Sequence, residues 1–377
     1  MFWQYPRVHD TPDIADRRDA VCVIGAGASG LAAIKNLREH GFAVDCYERE
    51  TSVGGAWNWR HDRSPVYGST HLISSKPFTQ YPDFPMPDSW PDYPHHSQVL
   101  AYLERYADHF DLPVRLDTRV QGVAWDGEHY LIDIGDDTTL LEADNVIVAT
   151  GAFQRPLIPG VAARLSCNIH QVHSSEYRSP FVLPDGPVLV VGAGNSGAQI
   201  ALELSRYRKV WLAGRDTGHV PRSVLGRDIF RWIWPVMRRA TLDTRLGKRM
   251  RARTRSGGDA LIGIPEREIR NAGVLRVGRV EAERGGQPVC GGSVLEPQVV
   301  VWCTGFAPDY SWIDVPVFGS DGFPRHVRGV VPDAPGLFFL GLRFQHRMSS
   351  SLIGGVGDDA EFIANQVAQR SEAMAAA

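Results

Sequence analysis

Two sets of glycines carry the first chemical signal. Gly25, Gly27 and Gly30 stand as G-x-G-x-x-G within VCVIGAGASG, and Gly192, Gly194 and Gly197 repeat the spacing within VLVVGAGNSG. Such glycines let the chain turn sharply out of a strand, let a pyrophosphate approach the backbone, and let the next helix pack close to the strand. The helix N-terminus then offers unbonded N–H groups and a positive dipole end to an anion. Ala28 and Ser29 open the first helix, and Asn195 and Ser196 open the second. The chemistry implied is dinucleotide binding, twice over.

The two motifs close differently. A second strand after the first motif ends at Glu48, with Arg49 beside it, eighteen residues beyond Gly30. An acid there accepts hydrogen bonds from a free ribose, which suits FAD or NAD. The strand after the second motif ends at Gly214-Arg215, with Arg222 close behind. An arginine there suits a 2′-phosphate, hence NADPH. Further contacts are expected from the turn Gly55-Ala56-Trp57, where paired glycines admit a ligand to the backbone. Two strand ends, Thr150-Gly151 and Thr304-Gly305, echo one another. A Ser- and Gly-rich start to the final helix, 349–355, suits the polar edge of a flavin.

These residues require elements to position them. Short apolar runs predict parallel strands at 21–24, 42–47, 145–150, 188–191, 210–213, 299–303 and 337–340, and two further strands at 114–123 and 128–134. Leu31, Ile34 and Leu37 give a helical stripe ending near Gly41, and helices are also expected at 97–110, up to about 206, and near 358–367. Residues 61–97 hold seven prolines and many aromatics, which reads as an ordered loop around a pocket. Residues 1–19 read as a loosely packed arm. The fold expected is α/β with two Rossmann-like dinucleotide-binding domains, the NADPH domain inserted into the FAD domain. The boundaries drawn are 1–155 for the first part of the FAD domain, 156–298 for the NADPH domain, and 299–377 for the C-terminal part of the FAD domain.

Composition excludes several classes. The chain is 43% hydrophobic and 22% charged, as a globular protein is, with a formal net charge of −3 that gives no global case for nucleic acid. No C-x-x-C or His/Cys/carboxylate cluster suggests a metal. No run of eighteen apolar residues occurs, and the start lacks a signal-peptide pattern, so a cytoplasmic protein without a transmembrane segment is expected. One stretch, 230–255, is strongly basic with an apolar stripe through Trp232, Trp234 and Met237. It reads either as a face for a membrane surface or nucleic acid, or as a solvated amphipathic helix over the cofactor groove, and the negative whole-chain charge favours the latter.

The sum of these motifs resembles the flavin-containing monooxygenases of the two-dinucleotide-binding-domain class, over roughly 18–370. The matching pieces are GAGASG, GAGNSG, GGAW, DFPMPDSWPDY and both T-G strand ends. HSSEYR, from His173 to Arg178, is similar to the end of the family fingerprint F-x-G-x-x-x-H-x-x-x-(Y/F), although Cys167 and Ile169 replace its Phe and Gly. Tyr177 stands where Baeyer–Villiger monooxygenases carry Trp. The resemblance implies that NADPH reduces FAD and that O2 then gives a C4a-hydroperoxyflavin, which oxygenates an amine nitrogen or a sulfide of a small molecule. It also implies a position, here Ile73, where better-known members carry an Asn that steadies the oxygenated flavin. Isoleucine donates no hydrogen bond, which opens a second reading as an NADPH oxidase or flavin reductase of the same fold; ketone oxygenation is a further alternative. Ile73, Ser74 and His173 are the expected pocket or linker positions. A homodimer is left open.

Overall fold

The computed structural model describes residues 13–135, 139–257 and 260–376. Two five-stranded parallel sheets organise it. The first runs Leu337–Phe339, Asn145–Val148, Ala20–Ile24, Ala43–Tyr47, Val114–Arg115. The second runs His170–His173, Val299–Trp302, Val188–Val191, Val210–Ala213, Leu275–Val277. In each, the strand leading into the glycine motif is central and both its neighbours run parallel to it. The runs are continuously apolar because helices or a second sheet cover both faces.

On one face of the first sheet lie α1 (Ala28–Glu39), α2 (His96–His109) and the final helix Ile353–Ala375. Leu31, Ile34 and Leu37 of α1 are fully buried there, against Val99, Leu103 and Ile363. Each such side chain contributes about 1.5–3 kcal/mol by leaving water. The other face packs on a mixed sheet of Asp13–Asp16, Thr139–Ala143, Tyr130–Asp133, Gly122–Trp125 and Ile313–Asp314. The second sheet is covered on one face by α3 (Asn195–Leu204), through Ala198, Ile200 and Leu204. On its other face Trp211 and Trp302 pack with Val161, Ile169 and Cys290.

Four expectations are corrected. Val299–Trp302 pairs with His170–His173 and Val188–Val191, so it completes the second sheet. The return to the first sheet follows that strand and does not begin at 299. The strand expected at 114–123 is split: Val114–Arg115 joins the first sheet, and Gly122–Trp125 joins the mixed one. Of the expected N-terminal arm, residues 1–12 lie outside the described residues, but Asp13–Asp16 is a strand parallel to Thr139–Glu142. The last helix spans Ile353–Ala375 rather than 358–367. No described helix is long and apolar enough to cross a membrane.

The glycine junctions show why no other residue serves. A Cβ on Gly30 would overlap the carbonyl oxygen of Gly25, and one on Gly197 would overlap that of Gly192. Helix and strand end are therefore in backbone contact. Gly194 differs, with nothing within 4 Å of an added Cβ. We expect Gly197→Ala to destabilise the protein by about 1–3 kcal/mol through overpacking, whereas Gly194→Ala leaves the melting temperature nearly unchanged. Equal melting temperatures for the two variants would contradict this contact.

Candidate functional site

All four long strands of the first sheet end on one edge, as a parallel sheet requires, and ligands of such sheets bind in the crevice beyond those ends. Gly25 follows Ala20–Ile24, Glu48 follows Ala43–Tyr47, Thr150-Gly151 follows Asn145–Val148, and Gly341 follows Leu337–Phe339. Gly27 is the N-cap of α1 and makes no side-chain capping bond. The first-turn N–H groups of Ala28, Ser29 and Gly30 therefore remain for a ligand. The GGAW turn lies directly on this loop. Gly54 N–H donates to Ala26 O at 3.0 Å, and a Cβ on Gly55 would come within 2.8 Å of Gly27 Cα. Ala56 and Trp57 in this turn are half-buried.

Glu48 is buried, with its carboxylate accepting from Ala26 N–H at 2.7 Å and Glu50 N–H at 3.1 Å. A carboxylate has room for further donors after these two. Arg49 is exposed and ion-paired with Glu50. Gly341 was not singled out from the sequence. It packs against Ser29 so closely that a Cβ would overlap the Ser29 hydroxyl. The available signal was a fourth strand–glycine junction, matching the one at Gly151.

The second crevice repeats the first. Gly192 N–H donates to Ala213 O at 2.9 Å, as Gly25 N–H does to Tyr47 O at 2.8 Å. Gly194 caps α3 without a side-chain bond. Asn195 has a structural role: its amide donates to Ala260 O at 3.2 Å and accepts from Ile262 N–H at 2.9 Å. Ser196, at the head of α3, is exposed. Arg215 is exposed beyond Gly214, whose φ of +147° swings the chain outward. Arg222 lies over the Tyr93 ring at 4.5 Å, which ties it to the proline-rich loop.

A hydrogen-bonded seam joins the two halves. Tyr67, in the 61–97 loop, donates across it to Gln199 of α3 at 2.5 Å, and on the second-half side Tyr177 donates to Glu203 at 2.8 Å. The two rings meet edge to face at 5.8 Å. Arg178 donates to Asp62 O, and Gly68 N–H donates to Arg178 O. Thr304 Oγ1 donates to Leu157 O, and Gln154 spans Thr150 and Gly151.

The three pocket or linker positions differ. Ile73 is half-buried. Ser74 is buried, its hydroxyl 2.6 Å from that of Thr79. Ser75 and Ser349 are buried with hydroxyls that have no protein partner, so each has hydrogen-bonding capacity left for a ligand. Phe78 follows in the same loop and packs against Phe230 and Trp234 of α4 (Phe230–Arg239), with ring centroids 6.1 and 5.6 Å apart. Its backbone carbonyl sits against Gly354 at the start of the last helix.

Of the two roles open to His173, pocket or linker, its contacts favour a structural one. It is 0% exposed, with Nε2 3.0 Å from Gly305 O and Nδ1 3.2 Å from Ser175 N. Those partners require Nε2–H to donate and Nδ1 to accept, the neutral tautomer. Burial pulls its pKa below the ordinary 6.5. The unfolded chain then binds a proton that the fold resists, so stability is present above the ordinary value and is lost as pH falls through the lowered one. His96 and His346 shift the same way, also through burial. We expect the melting temperature to fall from about pH 7 to about pH 5, and His173→Gln to flatten that slope in part. An unchanged slope would remove His173 from the account.

Comparison with known proteins agrees with the geometry. A family model described as flavin-binding monooxygenase-like matches residues 18–248. An uncharacterised CzcO-like oxidoreductase of Geobacillus kaustophilus is 35% identical over 356 residues, spanning 92% of this chain and 97% of that protein. Human flavin-containing monooxygenase 1 is 35% identical over 219 residues, 53% of this chain and 41% of that one. A solved double mutant of a Stenotrophomonas maltophilia flavin monooxygenase is 27% identical, with a TM-score of 0.76 over 95% of this chain and 99% of its own. Two parallel sheets, two glycine cradles and this match together establish that the chain belongs to the flavin-binding monooxygenase-like family.

Proposed function

We propose that the protein is an NADPH- and FAD-dependent monooxygenase acting on a soft nucleophile, an amine nitrogen or a sulfide of a small molecule. The observation that carries the reading is the pair of equivalent crevices closed by opposite residues, buried Glu48 in one and exposed Arg215 in the other. The residues fit the cofactors. The loop of Gly25, Gly27, Ala28, Ser29 and Gly30 can receive the FAD pyrophosphate, Glu48 and Arg49 its ribose region, and Gly55, Ala56, Trp57, Thr150 and Gly151 the rest of the groove. Gly192, Gly194, Ser196 and Gly197 can receive the NADPH pyrophosphate, with Asn195 shaping the loop from behind and Arg215 and Arg222 meeting the 2′-phosphate. Thr304 and Gly305, at the matching strand end of the second sheet, would supply further cofactor contacts.

Bound FAD supplies the electron transfer and oxygen activation that no amino-acid side chain can. The chain's own part is to hold and orient both nucleotides and to exclude water from the reacting centre. Phe78, Phe230 and Trp234 form an aromatic cluster beside the start of the last helix, a few residues along the loop from Ile73 and Ser74. No general base is required of the protein, which agrees with the neutral, fully bonded His173.

One observation favours a second reading, an oxidase that releases peroxide: Ile73 offers no donor where the resemblance expects an amide. The test compares NADPH consumed with peroxide released and product formed, using a tertiary amine and a thioether. Oxygenated product should account for most of the NADPH with at least one substrate class. Peroxide accounting for all of it with every substrate would replace monooxygenation by the oxidase reading. A second test concerns the reductant. A charge-assisted hydrogen bond contributes about 1.5–3 kcal/mol, so Arg215→Ala should raise KM for NADPH by roughly 10- to 100-fold. KM for NADH should hardly move, and equal effects on both would defeat the NADPH assignment.

A further inference from the structure

The segment between Val210–Ala213 and Leu275–Val277 of the second sheet departs from the rest of the surface in two ways. Residues 222–253 hold ten arginines and lysines against two aspartates, Asp228 and Asp243, in a chain of formal charge −3. The same stretch exposes large apolar side chains. Leu225, at the tip of the hairpin Ser223–Val224 and Arg227–Asp228, is 90% exposed with φ +51°. Trp232 and Val236, one turn apart on α4, are 51% and 47% exposed, and Leu246 on α5 (Arg245–Gly257) is 51% exposed.

The inner side of this segment is accounted for. Phe230 and Trp234 meet Phe78, Arg238 pairs with Asp358 at 2.9 Å, and Leu242 N–H donates to His346 O at 2.8 Å. The outer side therefore carries Leu225, Trp232, Val236 and Leu246 among exposed Arg227, Arg231, Arg239, Arg245, Lys248 and Arg249.

We propose that this outer face docks on an anionic phospholipid surface, lying on it without crossing it. An amphipathic helix with cations flanking Trp and Leu is the pattern that sits at the headgroup boundary, and tryptophan prefers that boundary because its ring is apolar with one polar edge. Charge complementarity favours anionic lipid, each cation near such a surface strengthening binding roughly fivefold. A second copy of this chain is disfavoured, because a two-fold contact through this face would set the cations of each copy against those of the other. Nucleic acid would meet the arginines but leaves an aliphatic hairpin tip and exposed Trp232 without a role.

The test is flotation of the full chain with neutral phosphatidylcholine vesicles and with vesicles containing phosphatidylglycerol. We expect binding to the anionic vesicles alone, weakening steeply with added salt. Arg231→Glu with Arg249→Glu should lower the partition coefficient more than about tenfold. Leu225→Ser with Trp232→Ser should also weaken it while the melting temperature stays at the wild-type value, since both side chains face outward. Equal binding to neutral vesicles, or none to either, overturns the proposal. So does a dimer, seen by light scattering, that Trp232→Ser dissolves. Duplex DNA binding that the arginine changes abolish and the Leu225/Trp232 changes leave intact would assign the face to nucleic acid instead.

Discussion

The closest constraint in the molecule is the contact of helix backbone with strand-end backbone at Gly30 and Gly197. Each glycine sits over the carbonyl of the motif's own first residue, Gly25 or Gly192, with no room for a methyl group. That contact fixes where each helix begins, and so aims its unbonded N–H groups along the edge where the parallel strands end. The rest follows from the aim. The first glycine motif, Glu48 and Thr150-Gly151 follow strands that end on that edge, because parallel strands deliver their C-terminal ends to one side.

The two crevices must also hold a fixed relation if electrons are to pass between their ligands. The bond from Tyr67 to Gln199 crosses between the halves, and groups with few alternatives brace the second half beside it. His173 is buried with both nitrogens committed, and Tyr67 and Tyr177 direct their hydroxyls to Gln199 and Glu203 on the very helix that opens the second crevice. Burial disfavours charging His173 and ionising either tyrosine. These groups thus remain neutral hydrogen-bond partners across the ordinary pH range. A buried histidine held as a neutral tautomer by Gly305 and Ser175 is poorly suited to moving protons in catalysis, which favours a structural role for it.

Legibility in the sequence followed the range of the interactions. The glycine motifs and their flanking strands could be read because turn geometry, strand burial and helix start are all set within about thirty residues. Membership of Val299–Trp302 could not. A buried parallel strand is an apolar run whichever sheet accepts it, and only pairing with His170–His173 and Val188–Val191, far away in sequence, decides. Asp13–Asp16 was missed for the same reason: its strand character comes from parallel pairing with Thr139–Glu142, not from its polar sequence. Glu48 and Arg215 were visible by spacing. Ser75 and Gly341 take their significance from tertiary neighbours, and the last helix runs longer than its apolar stripe because its exposed turns need no apolar residues.

The asymmetry between the crevices reaches beyond which nucleotide each prefers. Glu48 is buried and already held by two backbone N–H groups, so its carboxylate needs no reorganisation to meet a ribose. Gly54 and Gly55 close over the same loop from the other side. Arg215 instead stands exposed beyond Gly214, and Arg222 is exposed beside the Tyr93 ring and Gly263. A preset, enclosed acid suits a nucleotide that stays through many turnovers. An exposed arginine on a glycine pivot suits one that must enter, deliver its electrons and leave. The glycine motifs are nearly identical, so under the proposed assignment any difference between a resident and an exchanging nucleotide falls to the residues that close them and to how deeply those residues are buried.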